Sequence, residues 1–78
     1  MQVNFYAAAA DAAGVRHHEV PGPLTAAELV DELGRWRPEL AGVLTRCSIL
    51  VDGRQVGEPT APLPPDARVD VLPPFAGG

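Results

Sequence analysis

Val3 and Phe5 alternate with Gln2, Asn4 and Tyr6, the period-two pattern of a strand with one buried face. An alanine-rich stretch, 7–13, is a strong helix former, and Gly14 stands where a helix stops. Residues 15–20 read as a second strand, closed by the turn punctuation Pro21-Gly22-Pro23. Leu24-Thr25-Ala26-Ala27-Glu28-Leu29 is the strongest local signal in the chain. Thr25 is placed to cap the backbone N–H of Glu28, and Glu28 to reach back to the N–H of Thr25. Leu24 and Leu29 are spaced for a hydrophobic staple across that cap. Ala26, Leu29, Val30 and Leu33 then form one apolar stripe, with Asp31, Glu32 and Arg35 opposite. Trp36 extends the stripe, and Pro38 ends the helix at or before Arg37. Residues 39–44 are expected to add a short further turn of helix.

Residues 47–51, Cys-Ser-Ile-Leu-Val, make an apolar run of strand length. Asp52-Gly53 follows, a strong hairpin signal, with Arg54-Gln55-Val56 returning. Residues 57–65 are rich in proline and predict an irregular connection. Val69 and Val71 alternate with Arg68, Asp70 and Leu72 in a last strand. The order is strand, short helix, strand, helix, strand hairpin, loop, strand. An α+β domain fits it, with a mixed sheet of four to five strands packed on one main helix, Ala26–Trp36. In so few residues that is the β-grasp, or ubiquitin-like, arrangement. The expected division is a domain over 1–72 and an extended tail over 73–78. No repeat and no interdomain linker is visible.

Seventy-eight residues make one small domain, which buries only about 60–65% of the surface exposed by its unfolded chain. The hydrophobic fraction, 46%, is enough for a packed core. A single cysteine, Cys47, excludes an internal disulfide and suits a reducing compartment. The N-terminal residues lack the basic and apolar regions of a signal peptide, and no apolar run approaches a membrane span. The cytosol is the expected location. The net charge is −4, and all six basic residues are scattered arginines. Nucleic acid is therefore not an expected partner, because such binding rests on clustered cations. With no lysine in the chain, no side-chain amine can attack an activated terminus of its own.

Beyond Leu72 the pattern changes. Pro73 and Pro74 have fixed φ and cannot donate sheet hydrogen bonds, so the strand is expected to end there. In a polyproline course, 73–78 would reach about 20 Å at ~3.1–3.5 Å per residue. Gly77 and Gly78 lack Cβ atoms and can thread a channel too narrow for other residues. With Gly78 last in the sequence, the expected end is an ionised α-carboxylate. Such a group is a poor electrophile until a partner converts it to an acyl-adenylate with ATP. A sulfur donor could then take the acyl group, leaving a terminal thiocarboxylate. The plain alternative is a frayed end without function.

These segments resemble the MoaD/ThiS family of ubiquitin-like sulfur carriers, especially the small subunit of molybdopterin synthase. The matching parts are Phe5-Tyr6-Ala7-Ala8, Thr25-Ala26-Ala27-Glu28-Leu29 with Leu33, and Pro38-Glu39-Leu40. They continue through Leu50-Val51-Asp52-Gly53 and the closing run Val69-Asp70-Val71-Leu72-Pro73-Pro74-Phe75-Ala76-Gly77-Gly78. The resemblance implies a β-grasp fold and a carrier without catalysis of its own. It implies adenylation of Gly78 by an E1-like enzyme that uses ATP, with no cofactor bound to the carrier. A sulfur donor such as a cysteine desulfurase or rhodanese would then supply the sulfur. The implied acceptor is the molybdopterin synthase large subunit, where the thiocarboxylate builds the dithiolene of the molybdenum cofactor. Carriers for thiazole (thiamine), cysteine or specialised thio-metabolite synthesis share the same tail. Gly78 carries over as the reacting position, and Gly77, Ala76, Phe75, Pro74 and Pro73 as the arm that partners grip. The chain departs from the family at Pro64-Pro65-Asp66-Ala67-Arg68 and in a first helix that has Asp11 as its one charged residue. A modifier conjugated to proteins through Gly78, or an interaction module docking through its sheet, are the readings of other classes.

Other residues invite chemistry less strongly. Cys47 opens a predicted buried strand, where a small apolar role is commonest. His17 and His18, adjacent on a strand, point to opposite faces, so the expectation is solvent exposure rather than a metal site. Trp36 is spaced for the core or its rim. Asp52 suits a turn better than catalysis. No glycine-rich phosphate loop and no Ser/His/Asp set is present.

Overall fold

The computed structural model describes residues 1–73. Five strands form one mixed sheet in the order β2-β1-β5-β3-β4. They are β1 (Gln2–Phe5), β2 (His17–Glu19), β3 (Ser48–Val51), β4 (Arg54–Gln55) and β5 (Arg68–Leu72). Three helices, α1 (Ala8–Ala13), α2 (Ala26–Trp36) and α3 (Pro38–Leu44), accompany them. The first and last strands are parallel neighbours at the centre, with Val3 opposite Val69 and Phe5 opposite Val71. The other pairs are antiparallel. This is the β-grasp arrangement, and 11-residue α2 is its main helix.

The period of two decides which side chains meet. Val3, Phe5, Val69 and Val71 enter the core, where Val3, Val69 and Val71 have no solvent exposure. Leu29 and Leu33 of α2 and Leu40 of α3 are also fully buried there. Each such side chain contributes about 1.5–3 kcal/mol relative to exposure. The capping box is complete: the Glu28 N–H donates to Thr25 Oγ1 at 3.1 Å, and the Thr25 N–H to Glu28 Oε1 at 2.8 Å. Leu24 is half-buried against the same core as Leu29. Arg37 is extended, as a residue before proline must be, and the helix stops there.

Three expectations need correction. The turn foreseen at 39–44 is a seven-residue helix that begins at Pro38. Proline is suited to that first helical position, where its missing N–H leaves no bond unmade. The first helix starts at Ala8, because Ala7 has φ 51° and ψ −125°. The Ala9 N–H donates to Tyr6 O at 3.0 Å, so 6–9 form a tight turn before the helix. The second strand spans only His17–Glu19, although backbone bonds from Phe5 to Arg16 and from Val20 to Met1 extend the pairing.

The hairpin at Asp52-Gly53 is a two-residue turn with positive φ at both positions, 50° and 82°. Residues 57–65 contain no helix or named strand. They are tied down by Leu63, which is buried, and by the Leu63 N–H bond to Leu24 O at 2.8 Å. Among the described residues, no helix is long and apolar enough to cross a membrane.

Candidate functional site

The end of β5 is the place from which the tail departs. Leu72 pairs with Ser48 at the start of β3. On the other side, the Tyr6 N–H donates to Val71 O at 3.2 Å. Backbone bonds therefore hold the base of the tail from both flanks, up to Pro73, which is half-buried. Pro74, Phe75, Ala76, Gly77 and Gly78 lie outside the described residues.

Four side chains that the sequence reading did not single out meet on the sheet face turned away from the helices. Asp70 is 8% exposed, and one of its oxygens, Oδ1, accepts three bonds. Asn4 Nδ2 donates at 3.1 Å, the Tyr6 hydroxyl at 3.3 Å and Arg68 Nε at 3.4 Å. Three donors satisfy a carboxylate that would otherwise be costly so far from water. Tyr6 and then Asp70 hold the Arg68 guanidinium above its ordinary pKa. The cluster ties β5 to β1 by side chains as well as backbone. Its signal was in the alternation: Asn4, Tyr6, Arg68 and Asp70 are the polar members of two period-two strands. The parallel pairing that aligns Asn4 with Asp70 was the missing step.

Two depressions flank the tail's base. One, of about 550 Å³, is lined by Asn4, Tyr6, Ala7, Asp11, Arg16 and His17. The other, of about 300 Å³, lies between the start of α2 and β3, with Ala26, Val30, Cys47 and Ile49 among its walls. Cys47 precedes β3 rather than opening it, and it is half-buried rather than buried. Its thiol donates to Val43 O at 3.2 Å, and burial pushes its pKa up. The protonated thiol is thereby favoured, and that form is a poor nucleophile.

The remaining candidates resolve into packing. His17 is exposed on the open face, across from Asn4. His18 departs from the expected exposure: it is half-buried and stacks on Trp36 with 3.8 Å between ring centroids. Pairing with Val3 turns it to the core side. Trp36 also stacks on Phe5 at 5.9 Å, and the Arg37 guanidinium lies 4.5 Å from its ring centre. Trp36 is half-buried against the core, within the core-or-rim placement expected of it. Asp52 is a turn residue whose Oδ1 accepts from the Arg68 N–H at 3.0 Å. Among the described residues, no group of three or more His, Cys, Asp or Glu side chains could hold a metal ion.

Comparison with solved structures gives the same fold. A Pyrococcus furiosus protein named as a candidate molybdopterin converting factor, subunit 1, superposes with a TM-score of 0.82 at 23% identity, covering 95% of both chains. SAMP1 from Haloferax volcanii gives 0.77 at 23% identity, over 99% of this chain and 97% of its own. The Haloferax volcanii HVO 2177 protein gives 0.78 at 24% identity, over 99% of this chain and 84% of its own. No curated protein matches by sequence. The model of the ThiS family matches residues 3–78, which takes in both the sheet described above and the closing glycines. The chain belongs to the ThiS family.

Proposed function

We propose that this chain is a sulfur carrier whose reacting group is the Gly78 carboxylate. The observation that carries the reading is the family match, which runs through the final Gly77-Gly78 pair. The chemistry needs two steps. An E1-like partner transfers AMP from ATP to the carboxylate and releases pyrophosphate. A sulfur donor, delivering sulfur at the oxidation level of sulfide, then displaces AMP and leaves a thiocarboxylate. The carrier contributes no catalytic group: it presents an end and docks. Domain and tail divide the work at Leu72, with 73–78 as the arm that partners grip. The destination we favour is molybdopterin synthesis, with the chain as small subunit of molybdopterin synthase. Its fold likeness to a candidate molybdopterin converting factor subunit supports that choice.

The test is intact-mass measurement after incubation with the cognate activating enzyme, ATP and a sulfur donor. The expected gain equals one sulfur replacing one oxygen. A verified activator that produces no such gain would sink the reading. Adding one residue after Gly78 should abolish the gain and leave the melting temperature unchanged.

A second reading has its own support. SAMP1 is a small archaeal modifier protein, and its likeness spans nearly the whole chain. In this reading Gly78 is joined to lysine amines of target proteins. Blots of a tagged chain would then show a ladder of larger species that resists thiol treatment.

A further inference from the structure

We propose that this chain is a one-way acyl donor: its activated Gly78 passes to other molecules, but no amine or thiol of another copy accepts the acyl group. The inference rests on the reading of Gly78 as the activated end and adds what the rest of the fold does about it. Once activated, that carbonyl is open to any competent nucleophile within reach. Other copies of the carrier are among the molecules that it meets.

Acyl transfer to nitrogen forms a C–N bond and breaks the bond to AMP or sulfur, while the amine proton leaves with the departing group. It requires an unprotonated amine. All six basic residues are arginines, whose guanidinium stays protonated and does not attack. The α-amine of Met1 donates to Val20 O at 2.6 Å in a buried position, and Met1 itself is 6% exposed.

Transfer to sulfur is the other route, and Cys47 is the one thiol in the chain. Ser48 pairs with Leu72, so Cys47 lies near the root of the tail, where capture of the activated end would do most damage. It is withheld by geometry. It is half-buried in the groove beside α2, and its S–H points to Val43 O. Burial favours the unreactive protonated form. Each amine and thiol that could take the acyl group is therefore missing, bonded or screened.

A consequence for either use of Gly78 follows. A carrier of this kind does not lose its activated end to its own copies. A modifier of this kind is added to a target once per site and cannot be extended into a polymer through its side-chain amines.

The test makes the activated end chemically, so it needs no activating enzyme. The full chain is prepared with Gly78 as a mercaptoethanesulfonate thioester and followed by intact mass at about pH 8. Glycinamide added to one sample should give the monomeric amide, which establishes that the end is reactive. Without it, the wild-type chain should only hydrolyse. Arg54→Cys, at the exposed hairpin at the other end of the β3–β5 ladder from Leu72, should form a thiol-labile dimer under the same conditions. Its new thiol should react with a disulfide reagent about tenfold or more faster than Cys47 does. A wild-type covalent dimer overturns the proposal. So does a species that has lost the leaving thiol without gaining water, which marks internal capture, or a Cys47 as reactive as Cys introduced at position 54. Failure of the chain to acquire a thiocarboxylate from an activating enzyme would leave these outcomes unchanged, so the two readings fail separately.

Discussion

At the scale of single residues, Ala7 is the most unusual position in the structure. Its φ of 51° and ψ of −125° belong to a conformation that glycine adopts freely and alanine does not. The turn over 6–9 demands it, because β1 must pass Tyr6 to β5 and then reverse into α1 within three residues. Relief of that strain outweighs the extra entropy that glycine has in the unfolded chain. Ala7→Gly is therefore expected to stabilise the fold by about 1 kcal/mol, read from the urea midpoint. A destabilised variant would show that the Ala7 methyl makes a packing contribution larger than the strain. The neighbouring Tyr6 hydroxyl is part of the Asp70 cluster, so the same turn aims a side chain that fastens the central strands.

At the scale of elements, α2 is where local sequence and global fold agree most fully. Its cap, stripe and stop are all consecutive features, and all are present in the structure. Thr25→Ala removes the oxygen that accepts the Glu28 N–H and should cost about 1 kcal/mol. Leu29→Ala, on the buried side of the same helix, should cost about 2–5 kcal/mol by cavity formation. Chemical denaturation of both variants checks the order; equal losses would mean the helix is held by its end rather than its face. Such features were legible because they depend on residues three or four apart. What was not legible depends on distant partners. Pro38 could equally break one helix or begin another, and only packing of Leu40 and Leu44 against the core decides for the second. The burial of His18 follows from pairing with Val3 and from the position of Trp36, 18 residues further on. The Asp70 cluster needs the parallel register between residues 66 apart. The tail was a different case: the expectation placed on it came with the family resemblance, and its residues beyond Pro73 lie outside the described part of the chain.

At the scale of the whole molecule, the sheet is closed by its last strand. β5 lies between β1 and β3, so the two halves of the sheet have no other connection through backbone pairing. Val69 and Val71 also fill the centre of the core. A fragment of residues 1–66 is therefore expected not to fold, since it loses the central strand and opens two edges at once. Near-ultraviolet circular dichroism and the emission of Trp36 would report this; a native-like signal from the fragment would show that the helical layer suffices. Pro73 continues directly from this central strand.

That placement also has a mechanical meaning. Because β1 and β5 run parallel, the start of the first strand and the exit of the last lie at opposite ends of one ladder. A force applied at Pro73 along the chain would pull along the axis of β5. The load then falls on the ladders to β1 and β3 together, in shear, and many hydrogen bonds must fail at once. A strand at the sheet's edge pulled outward would instead peel, one bond at a time. The domain is therefore built to be tugged at the end of β5 without unravelling, as a rope spliced into the middle of a net holds better than one tied to its hem.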